Sequence, residues 1–170
     1  MSDEHSPAEA GQTEFDRLYR QGATLLHQGQ AVDATPWLEK AHALDSDHLD
    51  AAINLSGAYI LSGKFKWAVP LLEELSRRAP DNAMIWTNLG AAYLGNPVLA
   101  TEEQQLAAIA AFRRALDADP IAPNVAYNLG LIYRDRREVT AARHWFQQAI
   151  KANPHDRDAR RSLERLAVSD

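Results

Sequence analysis

Apolar and small residues recur along this chain at helical spacing, and the pattern repeats as a block. Gly22, Ser56, Gly90 and Gly130 are separated by 34, 34 and 40 residues. Ala34, Ala68, Ala108 and Ala142 keep the same rhythm, at 34, 40 and 34. Leu38, Leu72, Phe112 and Phe146 follow them, as do Ser46, Pro80, Pro120 and Pro154. Self-similarity at a period of this length marks stacked supersecondary units. The small positions let two helices approach closely, and the large ones fill the space beside them. The prolines stand where a second helix cannot continue. The pattern predicts helix pairs near 14–28 and 31–45, 48–62 and 65–79, 82–94 and 102–118, and 122–136 and 139–152. A last helix is predicted near 157–168. Residues 1–13 predict a disordered acidic lead-in whose final residue, Thr13, offers an N-cap to the first helix.

The phrase Asn54-Leu55-Ser56-Gly57-Ala58-Tyr59 recurs as Asn88-Leu89-Gly90-Ala91-Ala92-Tyr93 and as Asn128-Leu129-Gly130-Leu131-Ile132-Tyr133. In the last block Ala142, Phe146, Ala149 and Pro154 complete the series. These residues resemble the tetratricopeptide repeat, a 34-residue helix–turn–helix unit. The resemblance covers about residues 15–156. The first block departs most, with Gln21 before Gly22, Leu25 in place of the Tyr and Ser46 in place of the Pro. The resemblance implies an all-α fold, a right-handed superhelical solenoid of four helix–turn–helix repeats plus a C-terminal capping helix. The repeats would span about 15–48, 49–82, 83–122 and 123–156, within a single domain over 14–168. The cap at 157–168 carries a narrow apolar stripe, Ala159, Leu163 and Leu166, on an otherwise charged segment. A terminal repeat needs that arrangement, one face on the stack and one in water.

Two features interrupt the pattern. Pro36 and Pro70 fall about a turn inside their helices, where each removes one backbone hydrogen bond. The third repeat carries six extra residues within Gly95-Asn96-Pro97-Val98-Leu99-Ala100-Thr101. Gly-Asn-Pro is turn chemistry. Thr101-Glu102-Glu103-Gln104 then reads as a capping box that restarts the helix. Such an insertion is expected at one rim of the repeat stack, near its groove, where extra loop carries either function or drift.

In the family the first helix of each pair lines a concave surface that usually holds extended peptide. Asn54, Asn88 and Asn128 take equivalent places on three such helices, and Arg20 takes the fourth. The resemblance implies an amide ladder gripping a peptide main chain, since one amide offers both donor and acceptor to a peptide unit. The alternative for the row is bonding between adjacent helices or to water. Helical spacing puts Asp16, Asp50, Met84 and Asn124 four residues before these positions and Tyr19, Ile53, Thr87 and Tyr127 one before. Ala23, Gly57, Ala91 and Leu131 follow three after. His27 falls near the groove mouth, and Arg134 stands toward its far end. The places four before the row hold no lysine and two aspartates, which argues against the basic carboxylate clamp of the family's chaperone-tail binders.

Composition narrows the chemistry. There is no cysteine, which removes disulfides, thiolate metal sites and cysteine nucleophiles together. The histidines show no metal-ligand spacing on one helix face, and no phosphate loop or nucleophile elbow is present. The chain is expected to be non-catalytic and free of cofactors. Trp37, Trp67, Trp86 and Trp145 are expected in the core. A net charge of -5 argues against nucleic acid. The Arg-rich segments at 134–137 and 157–165 lack interleaved aromatics and read as a solvated cap. No stretch approaches the roughly 18 apolar residues of a membrane span, and no secretory signal opens the chain, so a cytoplasmic protein is expected. Met1 and the terminal cap predict a whole protein, and 14 arginines against 4 lysines fit a GC-rich bacterial genome. The expected partner is a protein or peptide. Charge allows a second reading, a structural self-association module (monomer or weak homo-oligomer) assembling through its oppositely charged ends, because residues 1–109 carry 7 basic and 15 acidic side chains while 110–170 carry 11 and 8. Oppositely charged ends attract head to tail.

Overall fold

A computed structural model describes residues 7–168. Among the described residues there are nine helices and no strand: α1 (Pro7–His27), α2 (Ala31–Leu44), α3 (Leu49–Leu61), α4 (Phe65–Arg78), α5 (Ala83–Leu94), α6 (Glu102–Ala118), α7 (Val125–Asp135), α8 (Val139–Ala152) and α9 (Arg157–Val168). Where one domain over 14–168 is expected, the helices group into two compact units, Met1–Pro80 and Asp81–Asp170. In the first unit α1 packs on α2, α2 on α3 and α3 on α4, and α1 also touches α3. In the second, α5 packs on α6, α6 on α7, α7 on α8 and α8 on α9.

Side-chain caps mark the starts of α3, α5 and α6. His48 caps α3, its Nδ1 accepting from the Ala51 N–H at 3.3 Å. Asn82 caps α5, its Oδ1 accepting from Met84 and Ile85. The capping box before α6 forms in both directions: the Gln104 N–H donates to the Thr101 Oγ1, and the Thr101 N–H donates to the Gln104 Oε1. The turns between α1 and α2 and between α3 and α4 place Gly29 and Gly63 at φ 77° and 70°. A residue without a β-carbon suits that left-handed backbone. Arg137 occupies the matching place between α7 and α8, at φ 60°.

The cores follow the repeat. Phe112, Phe146, Leu38 and Leu72 are fully buried. The close approach at Gly90 and Gly130 is steric: a β-carbon there would lie 2.6 Å from the rings of Phe112 and Phe146. At Gly22 it would meet Leu38 Cγ at 2.7 Å. In the second unit Phe112, Val125, Leu129 and Phe146 form one cluster, and α9 adds Leu166 to it. Ala159 of α9 packs with Ala126 and Ala149. The helix expected as a cap therefore buries its narrow stripe on α8 and leaves its arginines outside.

Several expectations need correction. α1 begins at Pro7, so residues 7–13 of the expected lead-in are helical; residues 1–6 lie outside the described residues. Proline suits the first helical position, where its fixed φ is already helical and its missing N–H costs nothing. α7 begins at Val125 instead of 122, because Pro123 disfavours helix at Ala122 and Asn124 takes φ 63°. Trp67 is 66% exposed and is not a core residue, while Trp37, Trp86 and Trp145 are half-buried. Pro36 and Pro70 lie inside α2 and α4, and both helices run through them.

Candidate functional site

The predicted site residues fall on both units, and each unit presents its own first-helix face. In the first unit α1 carries Asp16, Tyr19, Arg20, Ala23 and His27 along an open recess of about 480 Å³. The Tyr19 ring stacks on Phe15, centroids 5.8 Å apart and nearly parallel, and lies 5.4 Å from the His48 ring. Burial pushes the Tyr19 hydroxyl pKa upward, and the Asp50 carboxylate pushes it the same way. Asn54 of α3 donates its Nδ2 to the Tyr19 Oη at 3.2 Å. This amide therefore clips α3 to α1, which is the alternative the sequence left open for the Asn row. Its carbonyl oxygen and second N–H are not used in that bond. Ile53 is only 6% exposed, so it belongs to the packing and not to the open face on which it was placed. Asp50 and Arg20 are exposed.

In the second unit Met84 is 59% exposed in the first turn of α5. Thr87 and Asn88 are half-buried behind it, and the Thr87 hydroxyl donates to the Ala83 carbonyl at 2.8 Å. On α7 Tyr127 is half-buried, its ring 5.8 Å from that of Phe146. Asn128 and Leu131 are half-buried beside it and border a small recess with Leu94 and Pro97. Asn124 is exposed at the N-cap of α7 with left-handed backbone, so it precedes the helix face that spacing assigned to it. Arg134 is held by its neighbour, Nη2 to Asp135 Oδ1 at 2.7 Å.

The sequence reading missed a larger recess on the α6 and α8 side of the second unit, about 550 Å³, lined by Leu116, Ile121, Trp145 and Lys151 among others. The signal for it was Ile121, an apolar residue stranded between Pro120 and Ala122 in a turn. Among the described residues no group of three or more His, Cys, Asp or Glu side chains is placed to hold a metal ion. No helix among them is long and apolar enough to cross a membrane.

Two family models, each described as tetratricopeptide repeat, match residues 25–94 and 103–157, together more than half of the chain. The chain is a tetratricopeptide repeat protein. The stretch left between the two matches contains the insertion of the third repeat. Proteins of this family generally mediate protein–protein interactions, on a scaffold that is typically non-catalytic. Among curated relatives, the human protein O-mannosyl-transferase TMTC3 is 28% identical over 142 residues, 84% of this chain and 15% of that protein. The BBSome complex member BBS4 of Xenopus tropicalis is 31% identical over 71 residues, 42% of this chain and 13% of that protein. The chain thus spans 15% or less of the length of these relatives. Among solved structures, the thermophilic TPR protein TTC0263 of Thermus thermophilus superposes with a TM-score of 0.78 at 21% identity, covering 91% of this chain and 82% of that one. MamA from Desulfovibrio magneticus gives 0.71 at 24%, covering 84% and 77%. At such identities these likenesses establish a shared helical-repeat fold and nothing finer.

Proposed function

We propose that this tetratricopeptide repeat protein is a non-catalytic binding scaffold that holds an extended peptide on its first-helix faces. The observation that carries the reading is the recurrence of one amide at one place in three repeats, Asn54, Asn88 and Asn128, each half-buried. A half-buried amide can reach a ligand while its stem is held by neighbours.

Magnitudes assign the work. A net hydrogen bond is worth roughly 0.5–1.5 kcal/mol. Three of them fall short of the ~8 kcal/mol of a micromolar complex. Apolar contact with Met84, Tyr127 and Leu131 supplies the larger share, and the amides set direction and register. At Asn54 the amide keeps its bond to Tyr19 while its carbonyl oxygen accepts from the ligand.

The test compares wild type with Asn54→Ala/Asn88→Ala/Asn128→Ala in pull-downs from source-cell lysate. Circular dichroism confirms that the variant is folded. A partner held by wild type and lost by the folded variant is the expected result. A partner held equally by both removes the Asn row from the site.

A further inference from the structure

We infer that the insertion of the third repeat builds a side-chain pocket, which takes one aliphatic residue of the extended peptide whose main chain Asn128 holds; this rests on the peptide-binding reading above. Leu94 at the end of α5, Pro97 of the insertion, Gln105 of α6, and Asn128, Leu131 and Ile132 of α7 enclose a recess of about 100 Å³. A repeat of 34 residues has no residue to serve as the Pro97 wall, so the recess exists because of the six added ones.

The wall is fixed in place. Asn96 Oδ1 accepts from the Val98 N–H at 3.1 Å, and the Leu99 N–H donates to the Asn96 carbonyl at 3.0 Å. The capping box at Thr101 and Gln104 ends the loop. Arg136, just past α7, reaches Glu102 Oε1 at 3.3 Å and Gln105 Oε1 at 3.5 Å, which ties the start of α6 to the end of α7. A pocket held at both ends spends little of its affinity on ordering itself.

Size and polarity choose the occupant. A cavity of about 150 Å³ lined by hydrocarbon holds benzene, so about 100 Å³ suits Val, Leu or Ile and excludes an indole. Leu94, Pro97, Leu131 and Ile132 give carbon walls, and the amides of Gln105 and Asn128 suit a main chain at the edge. Arg134 and Asp135 also border the recess, but they pair with each other at 2.7 Å and leave no net charge to select a charged side chain. Val98 and Leu99, 89% and 76% exposed, extend the apolar surface along the chain from Pro97.

The probe is a phage-displayed library of random peptides panned against the full chain, followed by synthesis of the enriched peptide. The expected result is one position restricted to Val, Leu or Ile, at which alanine weakens binding by roughly 10- to 100-fold. Leu131→Trp, which fills the recess, weakens the parent peptide by a similar factor and narrows the difference between the parent and alanine peptides. Gln105→Trp fills the recess from α6 and replaces Leu131→Trp should that variant lose its fold. Selected peptides that bind both filled variants like wild type, yet fail on Asn54→Ala/Asn88→Ala/Asn128→Ala, overturn the pocket and leave the scaffold reading standing. Peptides indifferent to the Asn substitutions as well, or no enriched peptide at all, overturn both.

Discussion

Replacing Arg137 with glycine stabilises the second unit, on the following grounds. The three turns at Gly29, Gly63 and Arg137 share one hydrogen-bond pattern. In each, the N–H of the left-handed residue donates three residues back, Gly29 to Leu26, Gly63 to Ile60 and Arg137 to Arg134, at 2.9–3.0 Å. The next N–H donates five back, Gln30 to Leu25, Lys64 to Tyr59 and Glu138 to Tyr133, at 2.7–2.9 Å. These are the bonds of a Schellman motif, which satisfies carbonyls at a helix end. The backbone is therefore the same in all three turns, and only the β-carbon at Arg137 differs. A left-handed residue with a β-carbon costs about 1–2 kcal/mol. Glycine gives back about 0.5–1 kcal/mol through the freedom of its unfolded chain. Arg137→Gly should thus gain about 0.5–1 kcal/mol, which for a chain of this size raises Tm by about 1–4 °C. Gly63→Arg in the first unit should lose a similar amount. Thermal unfolding followed by circular dichroism, under matched conditions, reads both. Arg137→Gly with an unchanged or lowered Tm, alongside a neutral Gly63→Arg, would refute the steric reasoning.

Two further predictions follow from packing and ionisation. Gly130→Ala sets a β-carbon against the fully buried Phe146 ring at 2.6 Å and should cost about 1–3 kcal/mol by denaturant unfolding. Gly57→Ala meets only Leu26 Cδ2 at 3.9 Å and should be neutral or stabilising; equal costs at the two sites would contradict the steric assignment. Burial pushes the Tyr59 hydroxyl up to about 12, helped by its hydrogen bond to the Glu39 carboxylate at 2.9 Å. The folded state thus favours the protonated phenol. That stability is fully present below the ordinary tyrosine value of 10.0 and is lost as pH rises toward about 12. Wild type should lose stability relative to Tyr59→Phe across that window, and parallel pH profiles would exclude the effect.

What was legible in the sequence was what is local or periodic. The capping box at Thr101 needs only residues 101–104, and it formed as spaced. The Gly130 and Phe146 pairing was readable because the same small and large positions recur in every block. Asn54 shows the limit: its partner, Tyr19, lies 35 residues away on another helix, and no spacing rule announces which way an amide turns. Ile53 was misplaced for a related reason. Helical spacing puts it beside the open face, but burial is decided by tertiary packing, which leaves it 6% exposed. Trp67 fails in the opposite sense, since its place on a second helix suggested core and α4 leaves it 66% exposed. Asn124 carried a readable warning in the preceding proline, which disfavours helix just before it. The recess under the insertion needed three helices and a loop brought together, and no single segment encodes it.

The most direct test of peptide binding is a side-chain amide NMR titration of the full, isotope-labelled chain with the peptide enriched by panning. The Asn54, Asn88 and Asn128 side-chain amide resonances should each shift saturably, with Asn153, which lies beyond the last repeat's helices, unmoved. Saturable shifts confined to other residues, with the three asparagine amides stationary, would contradict the assignment of the first-helix faces as the binding surface.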